Sequence, residues 1–277
     1  MSQFVIGMDG SAGSAAALRW ATRLAVAAGA DLSVVNAYQR SYAELPPDDL
    51  ARALDDRKEQ LAQWTRPATD LGLEVTIRVH EGDPRDMFDR ADDQGADLLV
   101  LGRRGAGSDP GLFHVGSVVE HVAHHSSVPL AVIQPHEAGP VERIVLGVDG
   151  SPESSAAIHW CARYAGALGA HVQAVHVDEQ TRRRSASLDE HRSAAARILE
   201  WIEPVAAAGV EAEPIALEHL HPVDALVGVA ARHRNSLLVV GTRGAGGFTG
   251  LRIGGVAMKV LHRATTDLVL VPPTAEE

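Results

Sequence analysis

The chain states one long pattern twice. The run Val5-Ile6-Gly7-Met8-Asp9-Gly10-Ser11 returns as Val145-Leu146-Gly147-Val148-Asp149-Gly150-Ser151. Leu98-Leu99-Val100-Leu101-Gly102-Arg103-Arg104-Gly105-Ala106-Gly107 returns as Leu237-Leu238-Val239-Val240-Gly241-Thr242-Arg243-Gly244-Ala245-Gly246. Trp20 returns as Trp160. Solenoid and propeller arrays repeat every ~20–50 residues, so a repeat spanning half the chain is a whole domain. The 277 residues therefore read as two copies of one fold, residues 1–135 and 142–273, joined by a linker at 136–141 that holds Gly139 and Pro140.

Within each copy, short apolar runs alternate with amphipathic stretches. Phe4–Met8, Asp31–Ala37, Glu74–His80, Asp97–Leu101 and Pro129–Ile133 read as strands. Helices are expected over Ala15–Ala28, Leu50–Ala68, Pro84–Gln94 and Ser117–His125. The second copy repeats the order, with one long helix expected over Ser185–Ala208. Strands alternating with helices imply an α/β fold. Each half is expected to be an open, parallel, five-stranded, Rossmann-like sheet with helices on both faces. Aromatic residues make up only 4% against 45% hydrophobic residues, which suits a core of Val, Leu, Ile and Ala.

Charge narrows the function. A net charge of −11 argues against nucleic-acid binding, which usually carries a basic stripe. Apolar runs fall short of the ~20 residues that a membrane span needs. The N-terminal residues carry no signal-peptide pattern. Cys161 is the single cysteine, so an intrachain disulfide is excluded and a reducing compartment is implied. The expected location is the cytoplasm, with neither membrane nor nucleic acid as partner.

Each copy places a glycine loop directly after a buried strand, where α/β proteins bind nucleotides. Phosphate needs converging backbone N–H groups, little side-chain bulk and a helix N-terminus. Gly241, Gly244 and Gly254, followed by Gly255 and Val256, supply these in the second copy; Gly102, Gly105, Gly116, Ser117 and Val118 supply them in the first. Neither loop is a P-loop, because no lysine lies in it. The first strand ends in Gly-x-Asp-Gly-Ser rather than the Gly-x-Gly-x-x-Gly of dinucleotide folds.

Gly-x-x-Gly-x₉-Gly-(Ser/Thr) after the fourth strand, with Gly-x-Asp-x-Ser after the first, resembles the ATP-binding branch of the universal stress proteins, once per half. The resemblance implies ATP, with Mg²⁺, across the carboxyl ends of the strands. Carried over by position, Gly7, Asp9, Gly147 and Asp149 would lie on the sugar or adenine side, and Ala37 and Val177 would border the adenine. Gly102, Arg103, Gly105 and Gly107, with Gly241, Thr242, Arg243, Gly244 and Gly246, would wrap ribose and α-phosphate. Gly116, Ser117 and Val118, with Gly254, Gly255 and Val256, would hold the outer phosphates. The implied role is regulatory: ATP occupancy alters a surface read by an unidentified protein partner. A slow ATPase or phosphotransfer protein, and a structural partner protein with empty sites, are the alternatives. Alanine-rich, lightly charged outer helices suggest a homodimer.

The chain departs from that pattern in places. Ten residues, not nine, separate Gly105 from Gly116, and Asp109 lies among them. Gly255 stands where Ser or Thr is expected, which removes one hydroxyl hydrogen bond worth roughly 1 kcal/mol. Leu220 replaces Gly82 and is expected to crowd the adenine side. Plainer roles stand beside these: Asp9 and Asp149 as helix caps, Arg103 and Arg243 as solvated side chains, and the His121, His124, His125 group as a wet helix end rather than a metal site.

Overall fold

The computed structural model describes residues 2–38, 46–89, 95–106, 115–136, 139–178, 188–218, 220–244 and 253–273. Gly107, Asp109 and Gly246 lie outside them, as do Arg182-Arg183-Arg184 and the tail 274–277. The chain divides into two compact units, Met1–Glu137 and Ala138–Glu277.

The first unit runs β1 (Gln3–Gly7), α1 (Ala12–Ala28), β2 (Asp31–Tyr38), α2 (Pro47–Thr69), β3 (Val75–Glu81), α3 (Pro84–Phe88), β4 (Leu98–Gly102), α4 (Ser117–His125) and β5 (Leu130–Ile133). Its strands lie in the order β3-β2-β1-β4-β5, and every pair is parallel. The second unit runs β6 (Arg143–Gly147), α5 (Pro152–Leu168), β7 (His171–Asp178), α6 (Leu188–Trp201), α7 (Glu203–Ala207), β8 (Ala212–Glu218), α8 (Pro222–Ala230), β9 (Ser236–Gly241), α9 (Gly255–Arg263) and β10 (Asp267–Val271). Its order is β8-β7-β6-β9-β10, again all parallel. The doubled α/β fold is thus the one the repeat predicts.

Local chemistry explains the elements. Ser11 accepts the Ser14 N–H at 3.1 Å and caps α1, while Gly29 ends it at φ 64°, a backbone state that glycine adopts without strain. Ser151 and Gly169 do the same for α5. The helix-spaced face of Ala17, Leu18, Ala21, Leu24 and Ala25 is buried throughout. β4 and β9 are buried on both faces, as continuous apolar runs require. Cys161 is fully buried, and burial pushes its thiol well above its ordinary value, so it behaves as a small apolar residue.

Some boundaries differ from expectation. α1 begins at Ala12 rather than Ala15, because Ser11 and not Ser14 supplies the cap. α3 ends at Phe88, with 90–94 outside the described residues. The long helix expected over Ser185–Ala208 is two helices meeting at Ile202; Pro204 offers no N–H and its ring clashes with the carbonyl four residues back. In α2 the buried side chains are Leu61, Thr65 and Ala68, and Leu54 and Trp64 sit half-buried at the edge of that stripe.

Candidate nucleotide site

Strand order places the site. From β1 the chain passes to β2 on one side, while β4 lies on the other; β6 stands likewise between β7 and β9. The ends of β1/β4 and β6/β9 are therefore topological switch points, where open α/β sheets form their ligand crevice. Both Gly-x-Asp-Gly-Ser runs and both glycine loops emerge there.

The glycines are needed for close approach. A Cβ on Gly102 would run into the Gly13 backbone at the start of α1, so this glycine lets the helix pack on the strand end. A Cβ on Gly105 would lie 2.5 Å from Asp9 Oδ2, and one on Gly244 would collide with Asp149 Oδ2. Positive φ is not the reason, because neither Gly105 nor Gly244 is among the positive-φ glycines. Gly10 and Gly150 are, at φ 85° and 75°, and they turn the chain beneath Trp64 and Trp201.

Asp9 is not a helix cap. Its Oδ1 accepts the Ser11 N–H at 2.9 Å and its Oδ2 accepts the Ala106 N–H at 2.7 Å. The carboxylate ties the β1 turn to the glycine loop. Partial burial acts to raise its pKa, but the bonds from Ser11, Ala106 and Ser14 outweigh it, so the carboxyl lies below its ordinary value. In the second unit Asp149 Oδ1 accepts both N–H and Oγ–H of Ser151, at 3.0 and 2.5 Å.

The loops then close onto the helix starts. Gly116 N–H donates to Arg103 O at 3.0 Å, and Gly254 N–H to Thr242 O at 2.6 Å. Gly116 and Gly254 occupy the N-cap positions of α4 and α9 without a side-chain cap. This leaves the first N–H groups of both helices for another acceptor. Arg103, one candidate for a solvated side chain, is instead 5% exposed, and burial and the neighbouring Arg104 lower its pKa. Arg243 is exposed.

In the second unit these parts enclose a cavity of about 730 Å³. Of the sequence-predicted residues, Gly147, Asp149, Val177, Gly241, Thr242, Arg243, Gly244, Gly254, Gly255 and Val256 all line it. Thr242 is 4% exposed, and its Oγ1 has no hydrogen-bond partner among the described residues. Leu220 is 46% exposed and does not line the cavity, so the expected crowding is absent. In the first unit Gly105, Gly116 and Asp9 converge: a Cβ on Gly116 would lie 3.8 Å from the Gly105 nitrogen. Ala37 lies near the end of β2, paired with His80, and Ser117 and Val118 form the first turn of α4. Gly7 faces inward, where a Cβ would meet Leu101 at 2.5 Å and Phe88 at 3.1 Å; its small size serves packing.

Residues that the motif search passed over also line the cavity: His176, Asp178, Arg197, His221 and Lys259. His176 Nδ1 lies 2.9 Å from Val148 O. A carbonyl only accepts, so Nδ1 carries the proton, and in neutral His176 Nε2 is the acceptor. Trp201 stands edge-on to this ring at 5.1 Å. Lys259 was legible in one respect: it lies four residues after Gly255, hence on the same helix face.

A model of the universal stress protein family matches residues 1–134 and again residues 140–272. The chain belongs to the universal stress protein family. A universal stress protein of Mycolicibacterium smegmatis is 27% identical to it over 97% of this chain and 96% of its own length. One from Mycobacterium tuberculosis is 29% identical over 96% of this chain and 95% of its own. The crystal structure of a universal stress protein from Archaeoglobus fulgidus covers 98% of both chains with a TM-score of 0.74 at 20% identity, a likeness of fold. This universal stress protein thus carries two tandem family domains. No helix among its described residues is long and apolar enough to cross a membrane.

Proposed function

We propose that this universal stress protein binds ATP in the cavity at the β6/β9 switch point, and that occupancy regulates a protein partner. The carrying observation is the cavity itself. Its ~730 Å³ falls within the roughly 300–1,000 Å³ of small-molecule sites. Gly241, Gly244, Gly254 and Gly255 line it together with Thr242. Gly244, Gly254 and Gly255 keep bulk away from the α9 N-terminus, where the remaining N–H groups and the helix dipole suit phosphate. Asp149, beside Gly244, and Val177, in β7, would meet sugar and base. The first unit offers a related frame in Asp9, Gly105 and Gly116, with Ser117 at the helix start.

Among the described residues no group of three His, Cys, Asp or Glu side chains is placed to hold a metal ion. Mg²⁺ would therefore arrive on the nucleotide phosphates, keeping most of its ligands as water and phosphate oxygen. Nucleotide occupancy would change the surface at the strand ends and supply the regulatory signal. Native mass spectrometry of gently purified protein tests the ligand. Co-purified adenine nucleotide is the expected result; protein that stays ligand-free after incubation with excess ATP and Mg²⁺ would overturn the proposal.

A further inference from the structure

The second unit has lost a hydroxyl at its phosphate end and carries a cation in its place. Gly255, where the family pattern has Ser or Thr, opens α9, and Lys259 follows four residues later. Residues i and i+4 share a helix face, and Gly255 and Lys259 line the same cavity. Among the described residues no hydrogen bond or ion pair engages the Lys259 ammonium. Arg263, the next residue along that face, is engaged: it bridges Asp224 at 2.5 Å. Across the loop, Thr242 lines the same cavity.

The first unit differs at the matching place. His121 lies five residues after Gly116, as Lys259 lies five after Gly254. His121 Nε2 is held by Asp89 Oδ1 at 2.8 Å, so that side chain already has a partner within the protein. Other charged groups lining the second cavity are Asp149, Asp178, Arg197 and Arg243. With Lys259 these are three cations against two carboxylates, a balance that favours an anion.

We infer that Lys259 is a specificity residue: its ammonium takes the outer phosphates, so the second unit selects nucleoside di- and triphosphates over monophosphates. This rests on the nucleotide assignment above and adds to it the class of ligand. A hydroxyl at residue 255 would give one neutral bond close to the helix start. An ammonium on a four-carbon stem is a mobile point charge that reaches further out. It pays little attention to the α-phosphate and gains with each added negative charge, and its contribution falls as salt rises.

The test titrates isotope-labelled, ligand-stripped full-length protein with ATP and separately with AMP. Binding is followed at the Gly244 and Gly254 amides, which report the second unit alone. Lys259→Met is expected to weaken ATP about tenfold, the scale of a charge-assisted hydrogen bond, while AMP changes less than about twofold. Lys259→Arg is expected to keep ATP within about threefold of the wild type, because the charge is retained. Equal effects of Lys259→Met on ATP and AMP, or none on either, would overturn the inference and leave nucleotide binding standing. Failure of both nucleotides to move these amides in the wild-type protein would remove nucleotide binding and the inference together.

Discussion

Replacing Gly105 with alanine tests why the glycine loop is glycine. The added Cβ would sit 2.5 Å from Asp9 Oδ2 and 3.7 Å from Asp9 Cγ, and meets nothing else within 4 Å among the described residues. Contact at 2.5 Å is not tolerated, so the carboxylate must turn away. Oδ2 is the atom that accepts the Ala106 N–H, so the turn costs that bond, and any relay through Oδ1 to Ser11 is strained with it. Bonds to a charged group are worth about 1.5–3 kcal/mol when enclosed; at this exposed carboxylate the loss is about 1 kcal/mol after solvent screening. The informative comparison is the double variant. In an Asp9→Ala background the Gly105→Ala side chain meets no other described residue within 4 Å, and its φ is not positive. There the substitution is expected to stabilise by about 0.4–1 kcal/mol, through lost freedom of the unfolded chain. Scanning calorimetry of the four proteins gives the coupling. The change of sign is the expected result. A Gly105→Ala cost that is the same with and without Asp9 would refute the close-approach explanation.

The pair Asp83 and Arg85 sets a pH expectation. The Arg85 side chain and backbone N–H hold the Asp83 carboxyl down at about 2, against 3.8 ordinarily. A depressed folded pKa gives stability that is present above about pH 4 and lost as pH falls towards 2; carbon-detected NMR titration should show this value move up towards the ordinary range in Arg85→Gln, which removes the side-chain bonds and keeps the backbone one. Gly150→Ala is expected to destabilise the second unit by about 1–2 kcal/mol, since an L-residue is strained at φ 75° and its Cβ would press on Trp201; thermal unfolding measures the loss, and an unchanged midpoint would contradict it. Light scattering is expected to give twice the 29.3 kDa chain mass; a monomer mass at every concentration would remove the homodimer.

The doubled fold was legible because its signals are local. Capping serines, terminal glycines and continuous apolar strands each mark their own boundary, and Ser11, Gly29 and β4 behave as their sequences require. What the sequence did not show depends on the third dimension. The role of Gly105 and Gly244 looked like conformational freedom or room for phosphate, whereas the structure makes it the approach of Asp9 and Asp149 from a strand some ninety residues away in sequence. Gly7 matched the motif but faces Leu101 and Phe88 in the core. For Arg103 a solvated side chain was one of the two roles open from sequence, yet it is 5% exposed. Lys259 escaped a motif search confined to the loop, since helical periodicity returns a residue of the next turn to the loop's own cavity. His176 and Arg197 reach that cavity from β7 and α6, elements whose packing against the loop no spacing rule encodes.

Calorimetric titration of ligand-stripped protein with ATP and Mg²⁺ tests the central claim most directly, with Gly244→Val as the matched control. In that variant the branched side chain would collide with Asp149 and displace the loop that floors the second cavity. The account predicts saturable binding at micromolar Kd or tighter, about −8 kcal/mol or more, with the second-unit event absent from Gly244→Val. Wild-type protein that releases no heat and gains no thermal stability from ATP would contradict it, and would leave a partner protein that works without nucleotide.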